Sequence, residues 1–193
     1  DSLNVAKILK KNGYQTALVG KWHLKKEPSG FDFYKVLPGQ GKYNNPVFKT
    51  KENWEDGHKG GTQESGFSAD IIGDSSIEWL KKRKSKKPFF LMTHFKATHE
   101  PFDYPKRHNE FLNNTFLPEP ESLYDFLPSK SERSFSGQQL EILTKRWLTF
   151  SERKDYNIDV KYPGMPFSID GLSKKQIRSV SYQKFVKDFL RCA

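Results

Sequence analysis

Two short and nearly continuous apolar runs constrain the fold of this 193-residue chain more than any other feature. They are YQTALVG at residues 14–20 and PFFLMTHF at residues 88–95. Each run is bounded by glycine or proline, is rich in β-branched or aromatic residues, and is too short for a typical helix, so each predicts a buried strand. Strands that are apolar on both faces are typical of parallel sheets covered by helices on each side.

Amphipathic segments precede both runs. A first helix is predicted from the spacing of its apolar residues, with Asp1 or Ser2 as the cap and Gly13 as the stop. A second helix is predicted over residues 68–84, SADIIGDSSIEWLKKRK. Its apolar and small face comprises Ile71, Ile72, Ser75, Ser76, Trp79 and Leu80. The order helix, strand, helix, strand predicts an α/β fold, namely part of a mostly parallel sheet flanked by helices.

The rest of the chain is less regular. Residues 25–66 are rich in glycine, proline and asparagine and are predicted to form a long loop, whose aromatic first half argues against disorder. Residues 101–135 are also predicted to be irregular, followed by a helix over 136–149 and a last helix from about Ser173. The single cysteine, Cys192, cannot form an internal disulfide and is expected to be a small buried residue.

The formal net charge of +10 favours anionic partners such as nucleic acid, acidic polysaccharide, or sulfate and phosphate esters. The chain has no nucleic-acid-binding signature, and none of its apolar runs approaches the roughly 20 residues of a membrane span. The lysine-rich cluster at residues 81–87 is predicted to be a solvated helix end, since cations suit helix C-termini.

Lysines and histidines follow both predicted strands. Since parallel strands end at the same edge of a sheet, and ligands bind beyond that edge, these side chains are expected to converge on one crevice. They are Lys21, His23, His94, Lys96 and His99. Lysine can hold a charged oxygen, and histidine can protonate a leaving alkoxide. These residue types favour hydrolysis of an anionic ester, although no nucleophile is evident.

The motif GYQTALVGKWHL at residues 13–24 resembles the second signature of the type I, formylglycine-dependent sulfatases of the alkaline phosphatase superfamily. The segment KPFFLMTHFKATHEPF at 87–102 resembles a later block of the same family, an apolar strand followed by a His-x-Pro turn. The likeness extends from residue 1 to about 125 and resumes near 173. It implies a sulfuric ester hydrolase whose parent enzyme removes sulfate from sulfated carbohydrates.

The resemblance implies roles for individual residues. Lys21 resembles the lysine that contacts the sulfate and the formylglycine side chain, and His23 the histidine that is hydrogen-bonded to the formylglycine hydroxyl. His99 resembles the histidine that contacts the ester oxygen and protonates the leaving alcohol. Lys96 and His94 occupy substrate-binding places in related sulfatases. Trp22, between the two site residues, is expected to wedge against the core rather than stack on a sugar.

The family also implies calcium and a formylglycine residue, but the corresponding motifs are expected outside this chain. We therefore expect an internal fragment of one catalytic domain that is inactive alone. Its expected parts are an α/β part at 1–125, an irregular or helical insertion at 126–172, and a truncated helix at 173–193. A periplasmic or secreted location is implied by the resemblance alone.

Two other functions fit the same residues. One is a phosphoester or phosphonoester hydrolase of the same superfamily, which would use a different nucleophile. The other is a basic module that binds acidic polysaccharide without reacting with it. Binding that survives loss of Lys21 and His99 but weakens with salt would favour the module, because salt screens exposed charges.

Overall fold

The computed structural model describes residues 3–57, 59–84, 86–99, 102–124 and 170–192. The chain divides into two compact units, residues 1–97 and 98–193, and each is described by itself. Within the described residues, helices are too short or too polar to cross a membrane. The helix predicted at 136–149 lies outside the described residues.

A three-stranded parallel sheet forms the centre of the first unit. The central strand is β1, Gln15–Trp22, which pairs with β2, Phe33–Pro38, on one side. On its other side it pairs with β5, Phe89–His94. Two short strands, β3 (Val47–Phe48) and β4 (Thr62–Gln63), form a separate antiparallel pair. The prediction that the two apolar runs are parallel strands is confirmed.

Helices cover both faces of the sheet, because alternate side chains of each strand point to opposite faces. Helix α1, Val5–Lys11, packs through Ala6 against Leu18 and Val36 on one face. Helix α2, Ser68–Lys82, packs through Ile72 against Val19 and Leu37 on the other. The predicted α/β architecture with helices on both sides of a parallel sheet is therefore confirmed.

Two local predictions were wrong. Residues 25–66 do not form one long loop, because β2 lies within them and its pairing with β1 overrides its weak local signal. The cap of α1 is neither Asp1 nor Ser2 but Asn4, whose side-chain Oδ1 accepts a hydrogen bond from the Lys7 amide at 2.9 Å. An asparagine at this position satisfies one of the free amides of the first turn.

Gly20 packs closely against the backbone of β5. It pairs with His94, and its φ of +104° is a conformation that side chains disfavour. A Cβ atom on Gly20 would lie 1.9 Å from the His94 carbonyl oxygen. A residue without a side chain is therefore required here by both backbone conformation and space.

The second unit is organised around helix α3, Lys174–Cys192, which confirms the helix predicted near Ser173. The helix holds segment 102–124, which contains short 3₁₀ helices at Lys106–His108 and Glu121–Tyr124, in part through polar side chains. Arg191 donates to the Phe111 carbonyl at 2.8 Å, and Gln183 exchanges two hydrogen bonds with the Leu117 backbone. Cys192 is buried, as predicted.

We expect Gly20→Ala to lower the free energy of unfolding by roughly 2 kcal/mol or more, since it adds left-handed strain to a backbone clash. The matched control is Gly73→Ala in α2, where an added Cβ meets no atom within 4 Å. That change should raise stability by about 0.5–1 kcal/mol through helix propensity. Urea unfolding measures both, and equal effects of the two substitutions would contradict the close-approach argument.

Candidate active site

Three parallel strands bring polar side chains and backbone oxygens to the carboxyl edge of the sheet. Lys21 lies near the end of β1, and His94 ends β5. Lys96 follows two residues later. Gly39 and Gln40 form the turn that comes directly after β2. The edge where ligands bind in open α/β sheets is therefore lined by the ends of all three strands.

Lys21 is half-buried and its ammonium is held by three oxygens. Nζ donates to the Gly39 carbonyl at 2.7 Å and to the Gln40 carbonyl at 3.3 Å. It also lies 3.3 Å from the Gln40 side-chain oxygen. Burial lowers the pKa of the Lys21 ammonium below its usual value of 10.5, because removal from water disfavours the charged form.

Lys96 is buried, with 5% of its surface exposed, and its ammonium reaches the same turn. Nζ donates to the Gln40 carbonyl at 3.0 Å and lies 4.8 Å from the centre of the Tyr43 ring. The ammonium groups of Lys21 and Lys96 thus share one carbonyl oxygen. Two like charges this close repel each other, and an anion between them would be stabilised by both.

His94 is directed toward the backbone of the neighbouring strand. Its Nδ1 lies 3.2 Å from the Lys21 carbonyl oxygen. Since a carbonyl only accepts, Nδ1 is the donor in this hydrogen bond. His94 therefore helps to hold Lys21 at the edge of the sheet, in addition to the substrate-binding place that the resemblance implies.

The remaining predicted site residues are exposed. His23 comes directly after the last residue of β1, and His99 lies near the start of the second unit. The catalytic roles of both histidines stay predictions. In the second unit, His108 is half-buried with its Nδ1 2.8 Å from the Arg191 carbonyl oxygen, which indicates a structural role.

Trp22 separates Lys21 and His23 in the motif. The ring packs against the core cluster on the α1 face of the sheet, and its Nε1 donates to the Lys26 carbonyl at 2.8 Å. These contacts agree with the expected wedge against the core.

The contribution of the turn after β2 was not predicted from residue types. Gly39 and Gln40 contribute through their backbone carbonyls, and Tyr43 through its ring face. The available signal was the segment FDFYKVLPGQG, in which an alternating aromatic and aliphatic strand ends at a proline and two glycines. Recognising it as a third parallel strand would have placed this turn beside Lys21.

The described residues do not fit the calcium and formylglycine implied by the resemblance. Among them, no three or more His, Cys, Asp or Glu side chains are grouped so as to hold a metal ion. Cys192 is 5% exposed in the last turn of α3, which leaves its sulfur no access to a substrate. No step of the chemistry is therefore assigned to either group here.

An α/β domain that gathers lysines at the carboxyl edge of its sheet is typical of proteins that act on or bind anionic ligands. The sequence profile of the family described as Sulfatase matches residues 1–140. The N-acetylglucosamine-6-O-sulfatase of Bacteroides thetaiotaomicron is 34% identical over 220 aligned positions, covering 98% of this chain and 38% of that protein. The ulvan-active sulfatase of Formosa agariphila is 31% identical over 111 positions, covering 52% of this chain and 21% of that protein.

A solved structure supports the same assignment. A protein in complex with its substrate, D-glucosamine-2-N,6-O-disulfate, superposes with a TM-score of 0.72 at 30% identity, covering 99% of this chain and 43% of that one. The chain belongs to the sulfatase family. It spans about two fifths of the length of the Bacteroides relative and of the solved chain.

We expect Lys21→Met and Lys96→Met each to weaken binding of inorganic sulfate about tenfold or more, because each removes a charge-assisted hydrogen bond but keeps an apolar stem. Lys25→Met is the matched control, since Lys25 is an exposed lysine just beyond the motif. Isothermal titration calorimetry measures the affinities. A loss of the same size in the control would show that only the general positive charge matters.

A second expectation concerns pH. Because burial lowers the pKa of Lys21, its ammonium loses a proton at a pH below the usual 10.5, and only the ammonium binds an anion. Sulfate affinity should therefore fall, as pH rises, before the exposed lysines deprotonate. The lysine Cε resonances report each titration separately by NMR. A Lys21 resonance that titrates together with those of the exposed lysines would contradict this expectation.

Proposed function

We propose that this protein hydrolyses sulfate esters of sulfated carbohydrates. The observation that carries the proposal is the convergence of the Lys21 and Lys96 ammonium groups on the Gln40 carbonyl oxygen at the carboxyl edge of the sheet. The place of this chain in the sulfatase family supports it. So do the sulfated sugars named for the Bacteroides relative and for the solved complex.

In this proposal Lys21 and Lys96 hold the non-bridging oxygens of the sulfate group. The charge on these oxygens and on the departing alkoxide must be stabilised as the sulfur–oxygen bond breaks. Fixed ammonium groups in a partly desolvated site do this without reorganising, which is why they lower the barrier more than water does. The Gln40 carbonyl keeps both side chains near the place where the sulfate would lie, before substrate arrives.

In this proposal His99 donates a proton to the departing sugar alcohol. His23 lies beside the reacting group. A sugar alkoxide is a poor leaving group, so its protonation by a positioned histidine contributes substantially to the rate enhancement. His23 comes directly after the strand that carries Lys21, and this position supports its assignment. The nucleophile and a calcium ion, implied by the family, are proposed to come from outside the described residues.

The leaving group tests the role of His99. In the complete protein, we expect His99→Ala to reduce kcat/KM for a sugar sulfate by about 10²–10⁴-fold, the usual contribution of general acid catalysis. The loss for 4-nitrophenyl sulfate should be much smaller, because nitrophenolate leaves without a proton.

Two controls accompany this measurement. Lys25→Ala should leave both rates unchanged, and the corresponding phosphate ester should be a poorer substrate than the sulfate. Equal losses by His99→Ala on both sulfate esters would exclude His99 as the general acid. A preference for the phosphate ester would instead favour the phosphoester hydrolase.

A further inference from the structure

A second basic site lies in the first unit, at the opposite end of the sheet. A cavity of about 410 Å³ opens beside the first residues of β1 and β2 and the end of α2. Its volume falls within the range of small-molecule pockets. Gln15, which lines it, is six residues before Lys21 on β1, and this separation corresponds to about 20 Å along a strand. The cavity is therefore separate from the candidate active site.

The charge around this cavity is strongly unbalanced. Its lining includes Lys35, Lys82, Arg83 and Lys84 but one carboxylate, that of Glu78. Glu78 is paired with Lys82, and Lys35 is paired with Glu64 at 2.8 Å. Among the described residues, Arg83 and Lys84 have no carboxylate partner, so two positive charges remain for an anionic ligand.

Arg83 is held in place while part of its guanidinium is unsatisfied. The guanidinium lies 4.5 Å from the centre of the Phe89 ring, and the Arg83 amide donates to the Trp79 carbonyl at 3.0 Å. Its Nε is buried without a hydrogen-bond partner among the described residues. A buried donor in this state is destabilising, and a bound oxyanion could accept its hydrogen bond.

The backbone that carries these cations is also fixed. The Gln15 side chain exchanges two hydrogen bonds of 2.9 Å with the Lys84 backbone, one to its carbonyl and one from its amide. This clamp joins the start of β1 to the segment that follows α2. The backbone positions of Arg83 and Lys84 are therefore set before any ligand arrives, which reduces the entropy lost on binding.

The ring of Trp79 supplies an apolar wall beside the cations. Trp79 is half-buried and lines the cavity together with Phe33. Sulfated sugars carry both a charged group and an apolar ring face. This cavity offers partners for both, arginine and lysine for the sulfate and an aromatic surface for the ring.

We propose that this cavity is a second, non-catalytic binding site for a sulfated sugar unit of the glycan substrate. The proposal rests on the proposed function for the class of ligand. Such a site would hold one part of a long sulfated glycan. It would thereby raise the local concentration of the glycan's other sulfate groups at the carboxyl edge of the sheet. It would also bind ligand when the catalytic lysine is absent.

Binding of D-glucosamine-2-N,6-O-disulfate to the complete protein tests the proposal, in a Lys21→Met background that weakens the other site. Calorimetry gives the affinity, and the Trp79 indole resonance locates the ligand. We expect residual binding that Arg83→Gln/Lys84→Gln weakens at least tenfold. Lys84→Gln alone should weaken this residual binding about threefold. Because the Lys84 side chain is exposed, the single variant should fold normally and serves as a check if the double variant misfolds.

The matched control is Lys86→Gln/Lys87→Gln, which removes the same charge from exposed lysines of the same segment that do not line the cavity. It should change the affinity less than twofold. Equal losses in the two double variants, or no binding in the Lys21→Met background, would overturn the site. If inorganic sulfate bound as tightly as the disulfate, the sugar ring would add nothing to the affinity. That result would overturn the proposal that the cavity recognises a sugar.

The two proposals fail separately. Hydrolysis of 4-nitrophenyl sulfate should be lost with Lys21→Met and unchanged with Arg83→Gln/Lys84→Gln. If the complete protein without substitutions did not hydrolyse the ester but still bound the disulfate at the cavity, this result would count against the proposed function alone. Hydrolysis of the ester without disulfate binding at the cavity would count against the second site alone.

Discussion

The contact between Gly20 and the His94 backbone determines how the candidate active site is built. At this pair the ends of β1 and β5 approach so closely that no Cβ can be accommodated. The residues that follow, Lys21 on one strand and Lys96 near the other, are therefore brought to one edge of the sheet. The His94 side chain adds a further connection by donating to the Lys21 carbonyl. The chemistry of the edge thus depends on a backbone contact that involves no charged group.

The Gln40 carbonyl oxygen joins the two lysines at the carboxyl edge of the sheet. A carbonyl oxygen accepts hydrogen bonds from both ammonium groups but carries only a partial charge. The partial burial of Lys21 strengthens its interaction with an anion by excluding water.

The sequence was sufficient to predict the strands whose signal is local. The apolar runs around Val19 and Met92 led to two parallel strands and to the edge where Lys21 and Lys96 meet. The strand β2 was missed because Lys35 and Pro38 weaken its apolar pattern. Its position also depends on pairing with β1, a long-range contact that the local sequence does not reveal. The role of Gln40 was not predictable from residue type, because its main contribution is a backbone oxygen that any residue has. Its position becomes visible only once β2 is known.

The distribution of cations gives the net charge of +10 a more specific meaning than solubility. The end of α2 was predicted to be a solvated lysine cluster, and Lys86 and Lys87 agree with this in being exposed. Arg83 does not, since it is half-buried against Phe89 with an unsatisfied nitrogen. Exposed cations attract an anionic polymer from a distance but do not select it, because salt screens them. A cation held in a cavity beside an aromatic ring, as Arg83 is, can select a ligand by shape, and this distinguishes the two parts of one lysine-rich segment.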